Sequence, residues 1–449
     1  MSTSFPEVLV VSEGRARVPR GREAPFRDAP RADYVIQSCL METEKYLERF
    51  AHVALAGVNL QKGQPLAIKI EPENLDAAVA IASLAYQRGA SWVDLWTESS
   101  RLLRARLDHS SEDHLSFVPA SRESRNRELL QDRWALLSIK SPVDPSVLEG
   151  ADTARMGSVT RALSEADAEL RRGLSNDETQ WTVMAVPSPK WAGAVLNMPP
   201  GREAVKRLWE AFVPILRLDA DDPALFWKNH AALLTERART LTTLGIEKLH
   251  FTGEGTDLTV GLSPRARWKG GGARTAEGIE FAPNLPTEEV FTTPDYRQTR
   301  GRVAISRPVR VMGTMVRDAW MEFDQGKVVS FGASSGEKAL GEFLEVDRGS
   351  SFMGEIALVD SRGPIFQSGL LFDNILLDEN AACHFALGFA YPSCIEGGTL
   401  LDDRALDALG ANRSRQHLDF MIGTETMEVR ATLRDGSSRT IIEKGCFCL

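Results

Sequence analysis

Between residues 378 and 393 the chain reads DENAACHFALGFAYPS, so that Asp378, Glu379, His384 and Tyr391 stand within an otherwise apolar run. Three other stretches carry similar chemistry: NRSRQHLDFMIG with His417 and Asp419, NLPTEEVFTTP with Glu288 and Glu289, and GEIALVD with Glu355. In a strand, residues i and i+2 share a face, so His417 and Asp419 would be presented together while Leu418 and Phe420 pack behind them. Taken alone, H-x-D also describes a strand whose polar face is merely solvated. Adjacent Glu288 and Glu289 would face opposite sides, so one of them enters a given site. Glu355 follows Gly354 at the start of an apolar strand, and a carboxylate at the edge of a core is costly unless a cation, a donor or a proton compensates it. A salt bridge to an arginine is the ordinary way to meet that cost.

Together, Glu289, Glu355, Glu379, His384, His417 and Asp419 are six oxygen and nitrogen ligands without a thiolate. Such a set suits a pair of divalent Zn, Co or Mn ions bridged by carboxylates. A smaller subset, His384, His417 and Asp419, is the two-histidine, one-carboxylate arrangement that holds non-haem Fe(II) and activates dioxygen. The other five histidines, His52, His109, His114, His230 and His250, lie in no such concentration. Phosphate-binding, nucleophile-elbow and H-E-x-x-H motifs are absent, GEGTDL lacks the third glycine of a dinucleotide loop, and WKGGGARTAEG reads as a flexible loop. No nucleotide cofactor is expected. Cys446 and Cys448 form only C-x-C, without a second pair at zinc-ribbon spacing.

Elements that could position these groups follow from periodicity. PLAIKI and SWVDLW are short apolar strands flanking a helix that starts near Pro72, with Leu75, Val79, Ala82 and Tyr86 as its expected buried stripe and Gly89 as its end. This strand, helix, strand unit builds a parallel sheet. TVMAVPSP adds a strand, and residues 202–217 and 226–244 carry helical periodicity, the second closed by Gly245. Beyond that point KLHFTG, DLTVGL, RVAISRPVRVMG, DAWMEFDQGKVVSFG and GEIALVD are β-rich runs separated by turn residues. One helix interrupts them at SSGEKALGEFLEVD, where Ser334 and Glu337 have capping-box spacing. The expected organisation is a tail over residues 1–44, an α/β domain over 45–245, and a β-rich, α+β metal-binding catalytic domain over 246–449.

A chain of 449 residues with 43% hydrophobic and 26% charged residues is long enough for two sizeable cores. Its net charge of -9 argues against nucleic acid as the main partner, and apolar runs such as AAVAIASLAY are too short to span a membrane. Five scattered cysteines suit a reducing cytoplasm. The Arg-rich N-terminal stretch contains Glu13, Glu23 and Asp28 and lacks an apolar signal region.

The segments GTDLTVGL, NLPTEEVFTTP, LGEFLEVDRGSSFMGEIALVD, LLDENAACHFALGFAY and NRSRQHLDFMIG resemble, in order and spacing, those of the M29 metallo-aminopeptidases. A looser likeness extends the resemblance to about residues 45–445. It implies a two-metal hydrolase that removes N-terminal residues from peptides, usually as a homodimer. Carried over motif by motif, the ligands are Glu289 (with Glu288 as the alternative), Glu355, Glu379, His384, His417 and Asp419. Glu355 then bridges the metals or accepts the water's proton, and Tyr391 is the active-site tyrosine. Two alternatives stay open at this point: an Fe(II) ring-cleaving dioxygenase of the same fold, and an amidase acting on a small non-peptide amide.

Overall fold

Four short apolar strands, Leu66–Ile70, Val93–Thr97, Ala135–Ile139 and Trp181–Met184, form a parallel sheet. The Leu66 and Ala135 strands lie at its centre, with the Val93 and Trp181 strands at the edges. In the computed structural model, residues 31–449 are described, and their side chains from Thr43 onward. The central strands are buried almost throughout, as a parallel sheet covered by helices on both faces requires. Residues Thr43–Leu449 form one unit. The expected tail over 1–44 falls largely outside the described residues.

The helix after the first strand, Leu75–Gln87, turns a different face inward from the expected one. Ala77, Ala78, Ile81 and Ala85 are buried, while Leu75, Val79 and Tyr86 are 48%, 54% and 48% exposed. Both stripes have helical spacing. The alanine stripe wins because small side chains let the helix axis settle close on the sheet, a choice that residue size does not announce. Pro72 belongs to a separate 3-10 turn, Pro72–Asn74, ahead of the helix. Helices Arg202–Ile215 and Pro223–Thr243 match the two later periodic runs.

From Ile246 onward the chain is built on antiparallel sheets. One has eight strands and includes Ile246–Gly253, Thr256–Leu262, Pro294–Ala304 and Glu428–Leu433. The other has five, ordered His417–Met421, His384–Gly388, Met353–Val359, Glu289–Thr292, Lys269–Gly270. Phe251, Leu258, Val260, Val290, Ile356, Leu358, Phe385 and Phe420 belong to one core packed between them. Phe385 stacks on Phe420 at 5.6 Å and meets Phe323 edge-on at 5.8 Å, so the sequence's alternation of aromatic and polar residues is spent fixing one face of the five-stranded sheet inward.

Two local expectations are corrected. The helix Glu337–Leu344 begins after Gly336 in a left-handed conformation; the Ser334 hydroxyl donates to Arg317 O and to Asp318 instead of capping, and Glu337 accepts from Ala333 N at 3.1 Å. The glycine-rich segment is no free loop at its start, because Lys269–Gly270 pairs with Val290 and Phe291. A Cβ on Gly270 would lie 2.7 Å from Val290 Cγ1 and 2.8 Å from Glu289 O, so glycine there permits the pairing. Among the described residues no helix is long and apolar enough to cross a membrane. Cys383, Cys394, Cys446 and Cys448 are free thiols.

Candidate metal centre

Strand alternation sorts the candidate residues. His417 lies opposite Gly388, Asp419 opposite Ala386, Ala386 opposite Glu355, and His384 opposite Ala357. These residues share the face turned away from the core, while Ile356, Leu358, Phe385, Leu387 and Phe420 fill the other. Ala357, Ala386 and Gly388 therefore stand between the acids and imidazoles, and their small side chains leave the space above the sheet open. Pairing slips between Met353 and Glu355, which makes Gly354 the extra residue of a bulge. A Cβ on Gly354 would lie 2.4 Å from both Gly388 O and Phe389 O, so only glycine allows the bulge that aims Glu355.

Two ligand triads result. Glu289, Glu355 and His384 offer atoms within 4.8 Å of one another, as do Glu355, His417 and Asp419. Glu355 belongs to both. His384 Nε2 is 3.1 Å from Glu289 Oε2; His417 Nε2 is 3.4 Å from Glu355 Oε2 and 3.6 Å from Asp419 Oδ1. Each imidazole uses its other nitrogen on a backbone carbonyl: His384 Nδ1 on Ala382 O at 3.0 Å and His417 Nδ1 on Phe389 O at 2.8 Å. A carbonyl only accepts, so Nδ1 carries the proton and Nε2 points its remaining valence at the carboxylates. This is the tautomer and orientation that metal-binding histidines adopt.

Electrostatics agree with a cation in this space. Glu289 Oε2 is buried and has no hydrogen-bond partner despite its closeness to His384. Burial raises the Glu355 carboxyl pKa, with His417 opposing and Glu289 and Asp419 adding to the rise. Burial alone would lower the His384 pKa, but Glu289, Asp419 and Glu355 lift it to about 10. His417 is likewise raised to about 9 against burial, by Glu355 and Asp419. A cluster with this excess of carboxylates takes up protons when no other positive charge is supplied, and a divalent ion supplies it directly. The residues fit a metal.

The remaining candidates occupy distinct places. Glu379 lies in the turn Glu379–Ala381 and in neither triad, yet burial, then Asp419 and Glu289, push its carboxyl well above the usual range. Tyr391 is 38% exposed at the rim, its ring 4.9 Å from the His417 ring and 6.1 Å from that of Phe291. Burial of the phenol, reinforced by Glu355 and Asp419, holds it protonated. Glu288 turns the other way, to Arg217 at 2.8 Å and His230 Nε2 at 3.0 Å. Asp378 accepts from Phe372 N at 2.9 Å and Asn374 N at 3.0 Å, a structural task; burial raises its pKa to about 6. His384 and His417 fall in different triads, so the two-histidine, one-carboxylate site expected for an Fe(II) oxygenase is not assembled among the described residues.

Three positioning residues were not apparent from the sequence. Asn380 Oδ1 accepts from Glu288 N at 2.7 Å and its Nδ2 donates to Leu376 O at 2.9 Å, joining the glutamate pair to the Glu379 turn. Asn412 Nδ2 faces Gly349 O at 2.8 Å, Phe352 O at 3.1 Å and Gly388 O at 2.6 Å, clamping the approaches to three site strands. Asp347 accepts from Gly349 N, Ser350 N and Arg415 N and from the Ser414 hydroxyl, fixing the segment before His417. Only Asp347 left a sequence signal, a D-x-x-S capping box with Ser350.

Known proteins share this architecture. The chain is 36% identical to "Aminopeptidase 2" of Geobacillus stearothermophilus over 403 residues, covering 90% of this chain and 97% of that one. It is 36% identical to "Aminopeptidase T" of Thermus aquaticus, covering 89% and 97%. The solved structure of wild-type AmpT from Thermus thermophilus superposes with a TM-score of 0.84 at 35% identity, covering 90% of this chain and 99% of that one. The family model described as thermophilic metalloprotease (M29) matches residues 43–447, a span that contains the parallel sheet, both antiparallel sheets and both ligand triads, and the chain belongs to that family of hydrolases.

Proposed function

We propose that the protein is a two-metal aminopeptidase that hydrolyses the N-terminal amide bond of peptides, with Glu289, Glu355, Glu379, His384, His417 and Asp419 holding the ions. The observation that carries this reading is the membership of Glu355 in both triads, since a shared carboxylate is what a pair of ions requires. Divalent Zn, Co or Mn bound there would supply Lewis acidity and a water acidified towards neutrality. The chain's own groups do the rest. Glu355 would either bridge the ions or, in place of that, take the proton of the attacking water, and a carboxylic acid of the cluster would return a proton to the departing amine. The Tyr391 phenol, kept protonated at the rim, donates to the carbonyl oxygen as negative charge develops on it. The Nδ1 bonds to Ala382 O and Phe389 O hold both imidazoles in place through the reaction. Glu379 stands beside the cluster as a sixth, outlying ligand.

On the same reading the catalytic part comprises residues 246–449 and the α/β part 45–245, and the protein works as a homodimer in the cytoplasm, where its free thiols stay reduced. The test is anaerobic incubation of metal-loaded protein with aminoacyl amides and with N-terminally blocked peptides, alongside metal analysis. Cleavage of the free-amine substrates only, with two ions bound per chain, is expected. Oxygen-dependent turnover with a single iron would reject the proposal.

A further inference from the structure

One cation shares the face of the candidate metal centre. Lys269 lies opposite Phe291, Phe291 opposite Ala357, and Ala357 opposite His384, so the four residues form a single row across four strands. Directly opposed residues of antiparallel strands project to the same side, which puts the Lys269 side chain on the side of Glu289 and His384. Its strand is held firmly. Trp268 N donates to Thr242 Oγ1 at 2.9 Å, and Thr235 Oγ1 donates to Gly270 O at 3.2 Å, tying both flanks of Lys269 to the helix Pro223–Thr243.

Its surroundings leave the ammonium available. Lys269 is half-buried and, among the described residues, takes part in no ion pair. Its charge reaches Asp177, from the parallel-sheet half, and Cys394, in the turn that follows Tyr391. Phe291 lies between it and the triads, and the Tyr391 ring, 6.1 Å from that of Phe291, stands 4.9 Å from the His417 ring. With strands about 4.8 Å apart, the Lys269 Cα lies about 10 Å from that of Ala357, above which the triads converge. An extended peptide spans about 3.3 to 3.6 Å per residue. Two or three residues bridge that gap.

We propose that Lys269 binds the C-terminal carboxylate of a substrate lying across Phe291 and Tyr391, which makes short peptides of two or three residues with a free carboxylate the preferred substrates. This rests on the aminopeptidase reading above. A charge-assisted hydrogen bond at a partly open site gives about tenfold discrimination against a neutral terminus.

The test compares Leu-Gly-Gly with its C-terminal amide. For the wild type, kcat/KM on the acid is expected to exceed that on the amide about tenfold, mainly through KM, and the advantage should vanish for acid and amide of Leu-Gly-Gly-Gly-Gly-Gly. In Lys269→Met the two tripeptides should converge, and in Lys269→Arg the preference should survive. Calorimetric titration of D-Leu-Gly-Gly as acid and amide gives a readout independent of turnover, with about tenfold tighter binding of the acid, lost in Lys269→Met. Equal affinities of acid and amide for the wild type, or a preference retained in Lys269→Met, would overturn the assignment of Lys269 alone. Failure of the metal-loaded protein to cleave either tripeptide while still favouring the acid in calorimetry would instead overturn the aminopeptidase reading, and with it this substrate class.

Discussion

Replacing Glu355 by Gln separates the metal reading from a purely structural one. The side chain is buried and belongs to both triads, so its loss should weaken both ions at once. A ligand present at 100 times its dissociation constant stabilises the folded state by about 2.7 kcal/mol. With an unfolding entropy of about 2.1 cal/mol/K per residue, or about 0.9 kcal/mol/K for a chain of this length, each ion should raise the melting temperature by about 3 °C. The wild type should therefore gain about 6 °C with both ions, and Glu355→Gln should gain little or nothing. The metal-free forms should behave in the opposite sense. The raised pKa of Glu355 means that its contribution is fully present below the unfolded pKa and is lost as pH rises through the folded value, so at neutral pH this group favours the unfolded chain, a cost that Gln lacks. Metal-free Glu355→Gln should thus melt at or above the metal-free wild type. Differential scanning calorimetry with and without Zn or Mn reads both. A variant that keeps the full metal-induced shift would refute the role of Glu355 as the shared ligand.

Further outcomes follow from the same geometry. Asn412→Ala removes a donor facing three backbone carbonyls, of which Gly349 O and Phe352 O keep backbone donors in Phe352 N and Gly388 N; with Gly388 O left unsatisfied, it should lose about 1 to 3 kcal/mol in urea unfolding. Asp347→Ala loses a cap worth about 1 to 2 kcal/mol at neutral pH. Burial opposes ionisation of Asp347, but the bonds from Arg415 N, Ser414 and Gly349 N hold its pKa below the usual range, so the wild-type advantage should be present above about pH 4 and disappear as pH falls through the folded value in acid-unfolding curves. Metal binding should release protons at neutral pH, because His384 and His417 in the metal-free centre titrate near about 10 and about 9. Affinity should accordingly rise with pH up to that range, as calorimetry in buffers of different ionisation enthalpy would measure.

Much of the five-stranded sheet was legible because its candidate site residues fall at alternate strand positions. In HLDFM, His417 and Asp419 alternate with Leu418 and Phe420, and in EVFT the same period separates Glu289 from Val290, although Phe291 shares the Glu289 face and Thr292 the Val290 face. Periodicity failed where two stripes competed, as in Leu75–Gln87, since the preferred stripe depends on how closely the sheet approaches. The strand Ala135–Ile139 and the helices Ser100–His109, Ala120–Gln131 and Thr153–Ala166 were not anticipated; the last three are polar or alanine-rich, with weak apolar patterns. Asn380 and Asn412 were invisible for another reason. Their partners lie up to 92 residues away, and nothing local distinguishes a buried clamp from a loop asparagine.

Glu288 and Glu289 are joined by a single peptide unit, yet one is gripped by Arg217 and by His230 of the long helix Pro223–Thr243, and the other faces His384. The helix Pro223–Thr243 thus holds this side of the sheet at two points, Glu288 through His230 and the strand Lys269–Gly270 through Thr235, so the placing of Glu289 depends on a helix that carries no candidate ligand.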